Sequence, residues 1–191
     1  MKKGVVKMKM NRIKNIIIST LVIVLVFSVT MLVNGKSDIV NECLNDSNLK
    51  LFIKENDINI RIADKDFKSD YDDYDNYGSY YDNVKNEIVI KATKNDNKLK
   101  QEVYYGLGSM IYYNLNCEEK EAFKDIFNKE FANKYEEYKN IKINKVYTLT
   151  RSTAFITTYG IYMSDTEWLK DNYLDMYNYF SRLEDNYRDA N

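Results

Sequence analysis

Glu102-Val103-Tyr104-Tyr105-Gly106-Leu107-Gly108-Ser109-Met110-Ile111-Tyr112-Tyr113 is the stretch on which the reading of this chain turns. Leu99, Val103, Leu107, Met110, Ile111 and Leu115 recur at a helical period, which predicts a helix apolar enough to lie in the middle of a domain. Gly106 and Gly108 each cost such a helix about 1 kcal/mol relative to alanine. Glycines kept inside a helix mark close approach of another backbone or side chain. The whole chain of 191 residues contains no histidine.

Two strands precede this helix. Ile58-Asn59-Ile60-Arg61-Ile62 alternates strictly and predicts a strand with one buried face. Tyr80-Tyr81 leads to the turn pair Asp82-Asn83, and Glu87-Ile88-Val89-Ile90 predicts a second strand. A short helix is expected from near Ser47, with Asp46 or Ser47 as its cap. Lys68 to Gly78 is acidic and tyrosine-rich and reads as a loop.

Helices follow the central one. Glu118 to Tyr138 places Ala122, Phe123, Ile126, Phe127, Phe131, Ala132, Tyr135 and Tyr138 on one face. Glu118, Glu119 and Glu121 open it, where acids favour the helix dipole. Ile141 to Tyr147 reads as extended chain or a linker. Ser152 to Met163 predicts a buried helix. Ser164-Asp165 is a break with Asp165 as N-cap, and Glu167 to Leu183 is a closing helix with a polar, fraying tail from Glu184. Strands ahead of helices define an α+β domain: a small β-sheet with helices, then a helical C-terminal part.

The N-terminus has a different character. Ile16 to Val33 is an uncharged run of 18 residues, about 27 Å as a helix and close to the thickness of a hydrocarbon core. Lys2, Lys3, Lys7, Lys9, Arg12 and Lys14 precede it with no acid among them, a bias that keeps the N-terminus in the cytoplasm and sends the rest outward. Val33-Asn34-Gly35 offers small residues for signal cleavage. Residues 1–35 are therefore expected to be a signal peptide or an N-terminal membrane anchor, and residues 36–191 one domain, secreted or held at the outer face of the cytoplasmic membrane. The membrane is expected as a partner only through residues 16–33.

Six of the 28 basic residues and none of the 29 acidic ones fall in residues 1–35, which leaves the remainder at a net charge of −7. That surplus disfavours nucleic acid as a partner, because no basic excess exists to neutralise phosphates. Cys43 and Cys117 are the only cysteines. An exported pair of thiols has the option of pairing, but their spacing is not distinctive and unpaired thiols are expected. Asp70, Asp72, Asp73 and Asp75 make an acidic cluster. Counted as a calcium loop from Asp73, it puts Val84 where a glutamate is required, so a solvated loop is expected. Tyr71, Tyr74, Tyr77, Tyr80 and Tyr81 would make an adhesive rim if exposed together. Cys-His and Ser-His-Asp catalysis are excluded by the missing histidine, and no Gly-rich phosphate loop occurs. A carboxylate pair stays open.

The order of these pieces resembles the catalytic domain of anthrax lethal factor and the small secreted Pro-Pro endopeptidases of clostridia. Ile58 to Asp64 resembles the early strand. Tyr77-Gly78-Ser79-Tyr80-Tyr81-Asp82 with Glu87 to Ile90 resembles the Gly-x-Tyr-Tyr-Asp turn and second strand. Glu102 to Tyr113 stands where the active-site helix belongs. Phe155-Ile156-Thr157-Thr158-Tyr159-Gly160-Ile161-Tyr162-Met163 resembles the Phe-Ala-Glu-Ala-Phe-x-Leu-Tyr-Phe helix, and Trp168-Leu169-Lys170 through Tyr177-Asn178-Tyr179-Phe180 the closing helix. The resemblance covers most of residues 47–185 and implies a zincin-like fold.

It also implies where the chemistry would stand. The first zinc histidine falls on Tyr105, the general base on Gly106, the second histidine on Ser109, the glutamate ligand on Thr157 and the assisting tyrosine on Thr150. Gly108 keeps the glycine before the second histidine. Catalytic zinc needs three imidazole, carboxylate or thiolate ligands and an open position for water, which a carboxylate then deprotonates. The five positions hold none of these. The expectation is an inactive metalloprotease-like protein, toxin-like in its relationships, with no zinc or other cofactor. It would bind a polypeptide through a retained groove lined by Tyr105, Ser109 and Thr157. Two alternatives are kept: a membrane-anchored cell-surface interaction or structural module, and an enzyme using carboxylates alone.

Overall fold

The computed structural model describes residues 36–63, 78–131 and 151–189. Residues 36–46 form helix α1, and Lys50–Glu55 the short helix α2. Sequence reading placed one helix starting near Ser47. The chain instead breaks there, because Asn48 turns left-handed at φ 54° between the two, a conformation that asparagine tolerates. Asp57, also left-handed, ends the next turn and delivers the chain into β1, Asn59–Ala63.

β2 is Tyr80–Asp82 and β3 is Glu87–Lys91. They form a three-stranded sheet in the order β1-β3-β2. β1 runs parallel to β3, with Ile60 opposite Ile88, and β2 runs antiparallel to it, with Tyr81 opposite Ile88. Ile88, Val89 and Ile90 are all fully buried. That explains their unbroken apolar run, since a central strand covered on both faces has no need to alternate. The turn after β2 is built by Asp82, whose carboxylate accepts the N–H groups of Val84 (3.0 Å) and Lys85 (3.1 Å). Asn86 then anchors the hairpin to the α2–β1 turn, donating to the carbonyls of Asn56 and Asp57.

Helix α3, Asp96–Asn114, lies across the sheet. Asn95 caps it, accepting the N–H of Lys98 at 3.0 Å. Helix α4, Cys117–Ile126, starts from a reciprocal capping box between Asn116 and Glu119. A π-helical turn, Phe127–Phe131, continues it. The remainder of the amphipathic segment to Tyr138, and Ile141 to Tyr147, lie outside the described residues.

Helix α5, Arg151–Ser164, packs along α3. The single closing helix expected over Glu167–Leu183 is two: α6, Thr166–Asn172, and α7, Leu174–Asp189. The break is Tyr173, whose backbone leaves the helical region (φ −145°, ψ 69°) while its side chain stays buried beside Trp168, ring centroids 5.4 Å apart. Asp165 stands at the N-cap of α6 as expected, but its side chain makes no capping hydrogen bond.

From Val40 onward the chain forms one compact unit. Its helical half is held by an aromatic cluster. Phe123 of α4, Phe155 and Tyr159 of α5 and Phe180 of α7 meet at centroid distances of 5.0 Å (Phe123–Phe155), 5.3 Å (Phe155–Phe180) and 5.6 Å (Tyr159–Phe180). Tilted and edge-on pairs of this kind add about 0.5–1.5 kcal/mol each beyond burial. The fold is thus α+β, a small mixed sheet covered by α3, with α5 packed on α3 and with α4, α6 and α7 packed together beyond it. Residues 16–33 lie outside the described residues, among which no helix is long and apolar enough to cross a membrane.

Candidate functional site

Tyr105, Gly106 and Ser109 lie where α3 passes between the sheet and α5. Gly106 faces the sheet. A methyl carbon there would lie 2.7 Å from Cγ2 of Ile88, closer than packed carbons approach, and Ile88 is fully buried with no room to retreat. Gly160 of α5 faces the other way. A methyl carbon on it would lie 2.5 Å from Cε1 of Tyr105 and 2.8 Å from Cδ1. One helical turn on, Gly108 brings α3 against the backbone of Ile156 and the ring of Tyr159. The close approach expected of the α3 glycines is present on both sides of the helix. The two helices cross antiparallel, because position 105 meets 160 while 108 meets 156.

Each of the five expected positions has a definite placement. Tyr105 is half-buried, its ring on Gly160 and its hydroxyl accepting the amide N–H of Gln101 at 2.7 Å. Gly106 is buried against β3. Ser109 is 6% exposed, and its hydroxyl accepts the backbone N–H of Tyr81 at 3.1 Å. Thr157 is half-buried on α5. Thr150 lies outside the described residues, as do Asp70, Asp72, Asp73, Asp75, Tyr71, Tyr74 and Tyr77. Of the expected tyrosine rim, Tyr80 is a core residue at 2% exposure and Tyr81 is half-buried.

Ser109 therefore does not line a groove; it is sealed between α3 and the edge strand. The reason is geometric. The N–H of Tyr81 points out of the sheet at the edge of β2 and needs a partner, and α3 is near enough to supply one. A cleft among the described residues lies elsewhere. It measures about 580 Å³ and lies between the N-terminal half of α3 and the end of α5, lined by Asn97, Lys100, Gln101, Tyr104, Met163 and Ser164. The Gln101–Tyr105 hydrogen bond connects the cleft wall to the α3–α5 contact.

A second cluster backs that wall. Lys100 donates to Glu42 of α1 at 2.6 Å. The Tyr104 hydroxyl reaches toward Asp46 at 3.5 Å and stands beside the thiol of Cys43. Burial pushes both the Cys43 thiol and the Tyr104 phenol up, and for Tyr104 the neighbouring Cys43 and acidic groups add to the effect. Cys43 is buried and Cys117 exposed, and both are free thiols, in line with the sequence expectation.

Two acidic side chains of this region were missed in sequence. Glu102, one turn before Gly106, accepts the Ser79 hydroxyl at 2.7 Å, and burial raises its carboxyl above the usual range. The Ser79 oxygen in turn accepts the N–H of Lys91. Glu184, expected on a fraying tail, is 7% exposed and accepts the hydroxyls of Tyr159 (3.3 Å) and Tyr162 (3.1 Å). The i, i+3 spacing of Tyr159 and Tyr162 was the available signal for a shared partner.

The residues at the α3–α5 contact do not fit a catalytic zinc. Tyr105, Ser109 and Thr157 supply hydroxyls where imidazole, carboxylate or thiolate is required. The Ser109 oxygen is engaged by a backbone N–H and the Tyr105 oxygen by an amide. Among the described residues no three acidic or cysteine side chains are grouped to hold a metal ion. Comparisons with protein-family models, with curated proteins and with solved structures found no match.

Proposed function

We propose that residues 36–191 are an exported, metalloprotease-like domain that does not hydrolyse peptides and instead binds a polypeptide. The observation that carries this reading is the chemistry of the α3–α5 contact: hydroxyls and glycines stand at every described position where the resemblance to lethal-factor-type proteases calls for zinc ligands and a base. Without a metal-bound water and a carboxylate to deprotonate it, the route that such proteases use is closed.

Polypeptide binding is supported by the adjoining cleft. Its amides from Asn97 and Gln101 suit peptide N–H and C=O groups, the Ser164 oxygen, whose own hydrogen goes to the Gly160 carbonyl, can accept a peptide N–H, and Met163 and the Tyr104 ring offer apolar contact. Export is supported by the basic, acid-free N-terminus ahead of Ile16–Val33.

The test is a peptide array and a cleavage assay run on the same purified protein, with and without chelator. The reading expects retention of a subset of peptides, unaltered by chelator, with no new termini by mass spectrometry. Chelator-sensitive cleavage would overturn it.

A further inference from the structure

Three contacts on α3 point to something beyond lost activity. Tyr105 and Ser109 are four apart on one helix and lie on the same side of it. A pair that bound one ion would have to converge. Here they are committed to different neighbours: the ring of Tyr105 to Gly160 of α5, and the oxygen of Ser109 to the N–H of Tyr81 in β2. Between them Gly106 abuts Ile88 with no space for a side chain.

We infer that Tyr105 and Gly160 form an obligate interhelical lock, in which the tyrosine ring takes the space between α3 and α5 that a metal ion and its ligands would need. The Tyr105 ring is held at both ends. Its Cδ1–Cε1 edge lies against the bare backbone of Gly160, and its hydroxyl is held by Gln101 at 2.7 Å, so the ring has little freedom to shift between the helices. Gly160 is then a packing requirement of Tyr105, and the two residues are matched to each other. It follows that restoring ligand side chains does not restore a metal site, because the helices are spaced for a ring. The lock rests on packing alone. Only its consequence for metal rests on the placement of the ligand positions argued above.

The lock is tested by a double-mutant cycle in the full chain, read as melting temperature. Gly160→Ala adds a good helix former and, with nothing in its way, would raise Tm by about 2–4 °C. With the Tyr105 ring present it instead lowers Tm by about 5 °C through overpacking. In the Tyr105→Ala background the same Gly160→Ala change turns stabilising. That reversal of sign is the expected result; a Gly160→Ala effect of the same sign and size in both backgrounds overturns the lock.

The consequence is tested by grafting Tyr105→His, Ser109→His and Thr157→Glu together, leaving Gly106 in place. Metal content is then read by elemental mass spectrometry after zinc exposure and desalting, beside the unaltered protein. We expect well under one zinc per chain and no zinc-dependent rise in Tm. One zinc per grafted chain, or a Tm raised by zinc in a graft that is otherwise destabilised, overturns the closure. Zinc in the unaltered protein would count against the inactive-protease reading, whereas zinc in the graft alone counts only against the closure to metal and leaves the packing lock to the double-mutant cycle.

Discussion

The hydroxyl of Ser109, in the middle of α3, accepts the backbone N–H of Tyr81 at the edge of the sheet, 3.1 Å away. It joins the central helix to β2, which is terminal in the order β1-β3-β2 among the described residues. A side chain at 6% exposure that satisfies a strand edge is part of the frame of the domain.

Ser109→Ala is accordingly expected to destabilise the domain by roughly 1–3 kcal/mol, the cost of leaving the Tyr81 N–H buried and unmet. Ser109→Leu is expected to cost more, since it adds overpacking to the lost bond. Denaturant unfolding followed by circular dichroism measures both. An alanine variant as stable as the unaltered protein would show that water reaches this N–H.

Glu102 sets an acid-side pH dependence. Burial raises its carboxyl above the ordinary 4.5, against the opposing effects of the Ser79 hydrogen bond and the Lys91 charge. A raised folded value means that its contribution to stability is complete below the unfolded value and is lost as pH rises through the folded one. Glu102→Gln keeps an acceptor for Ser79 and removes the ionisation. The variant is expected to gain stability over the unaltered protein between pH 4 and pH 7. Chemical denaturation at both values reports this, and a difference that does not change with pH would contradict it.

The buried phenols set the alkaline limit. Burial is the leading cause that raises Tyr104, Tyr159, Tyr162 and Tyr179, and it pushes Tyr187 up to about 12. For Tyr159 and Tyr162 the Glu184 carboxylate adds to the effect. The sign is that of a raised group: stability is present below the ordinary value of 10 and declines as pH rises above it. Absorbance at 295 nm is expected to show these tyrosines ionising together with the loss of far-ultraviolet ellipticity. Ionisation of all 18 tyrosines below pH 11 in a folded protein would be inconsistent with their burial.

The two thiols should report separately. Cys43 is fully buried and its thiol is pushed up by that burial, whereas Cys117 is exposed at the first turn of α4. Ellman's reagent is expected to titrate one thiol rapidly in native protein and the second only in denaturant. Two fast thiols would mean that α1 opens readily; none would mean a disulfide.

Much of the architecture was legible along the chain. Five alternating residues at Ile58 to Ile62 and the apolar run at Glu87 to Ile90 became β1 and β3, and the period from Leu99 to Leu115 became α3. The glycines of α3 were read as marks of close approach, and Gly106 and Gly108 are that. The misses share a cause. Tyr173 divides a helix that periodicity joins, and Asn48 turns the chain between a helix over residues 36–46, which was not expected, and α2, which starts three residues past Ser47; neither break is marked by a proline or glycine. Glu184 looks like tail polarity until α5 brings two phenols to it.

By itself the sequence determined which chemistry is open to this protein. With no histidine in the 191 residues, imidazole is absent as a base, as an activator of a nucleophile and as a metal ligand, whatever the fold. It also determined the class of the fold, since periods of two and 3.6 follow from backbone geometry alone. The tertiary structure decided what the remaining residues are for. Tyr105, Ser109 and Gly160 carry no label in sequence. Their roles exist only because α3 is held between a strand edge that needs an acceptor and a helix that has made room for a ring. Contacts of that kind join residues 28 and 55 positions apart, and no local property of the chain encodes them.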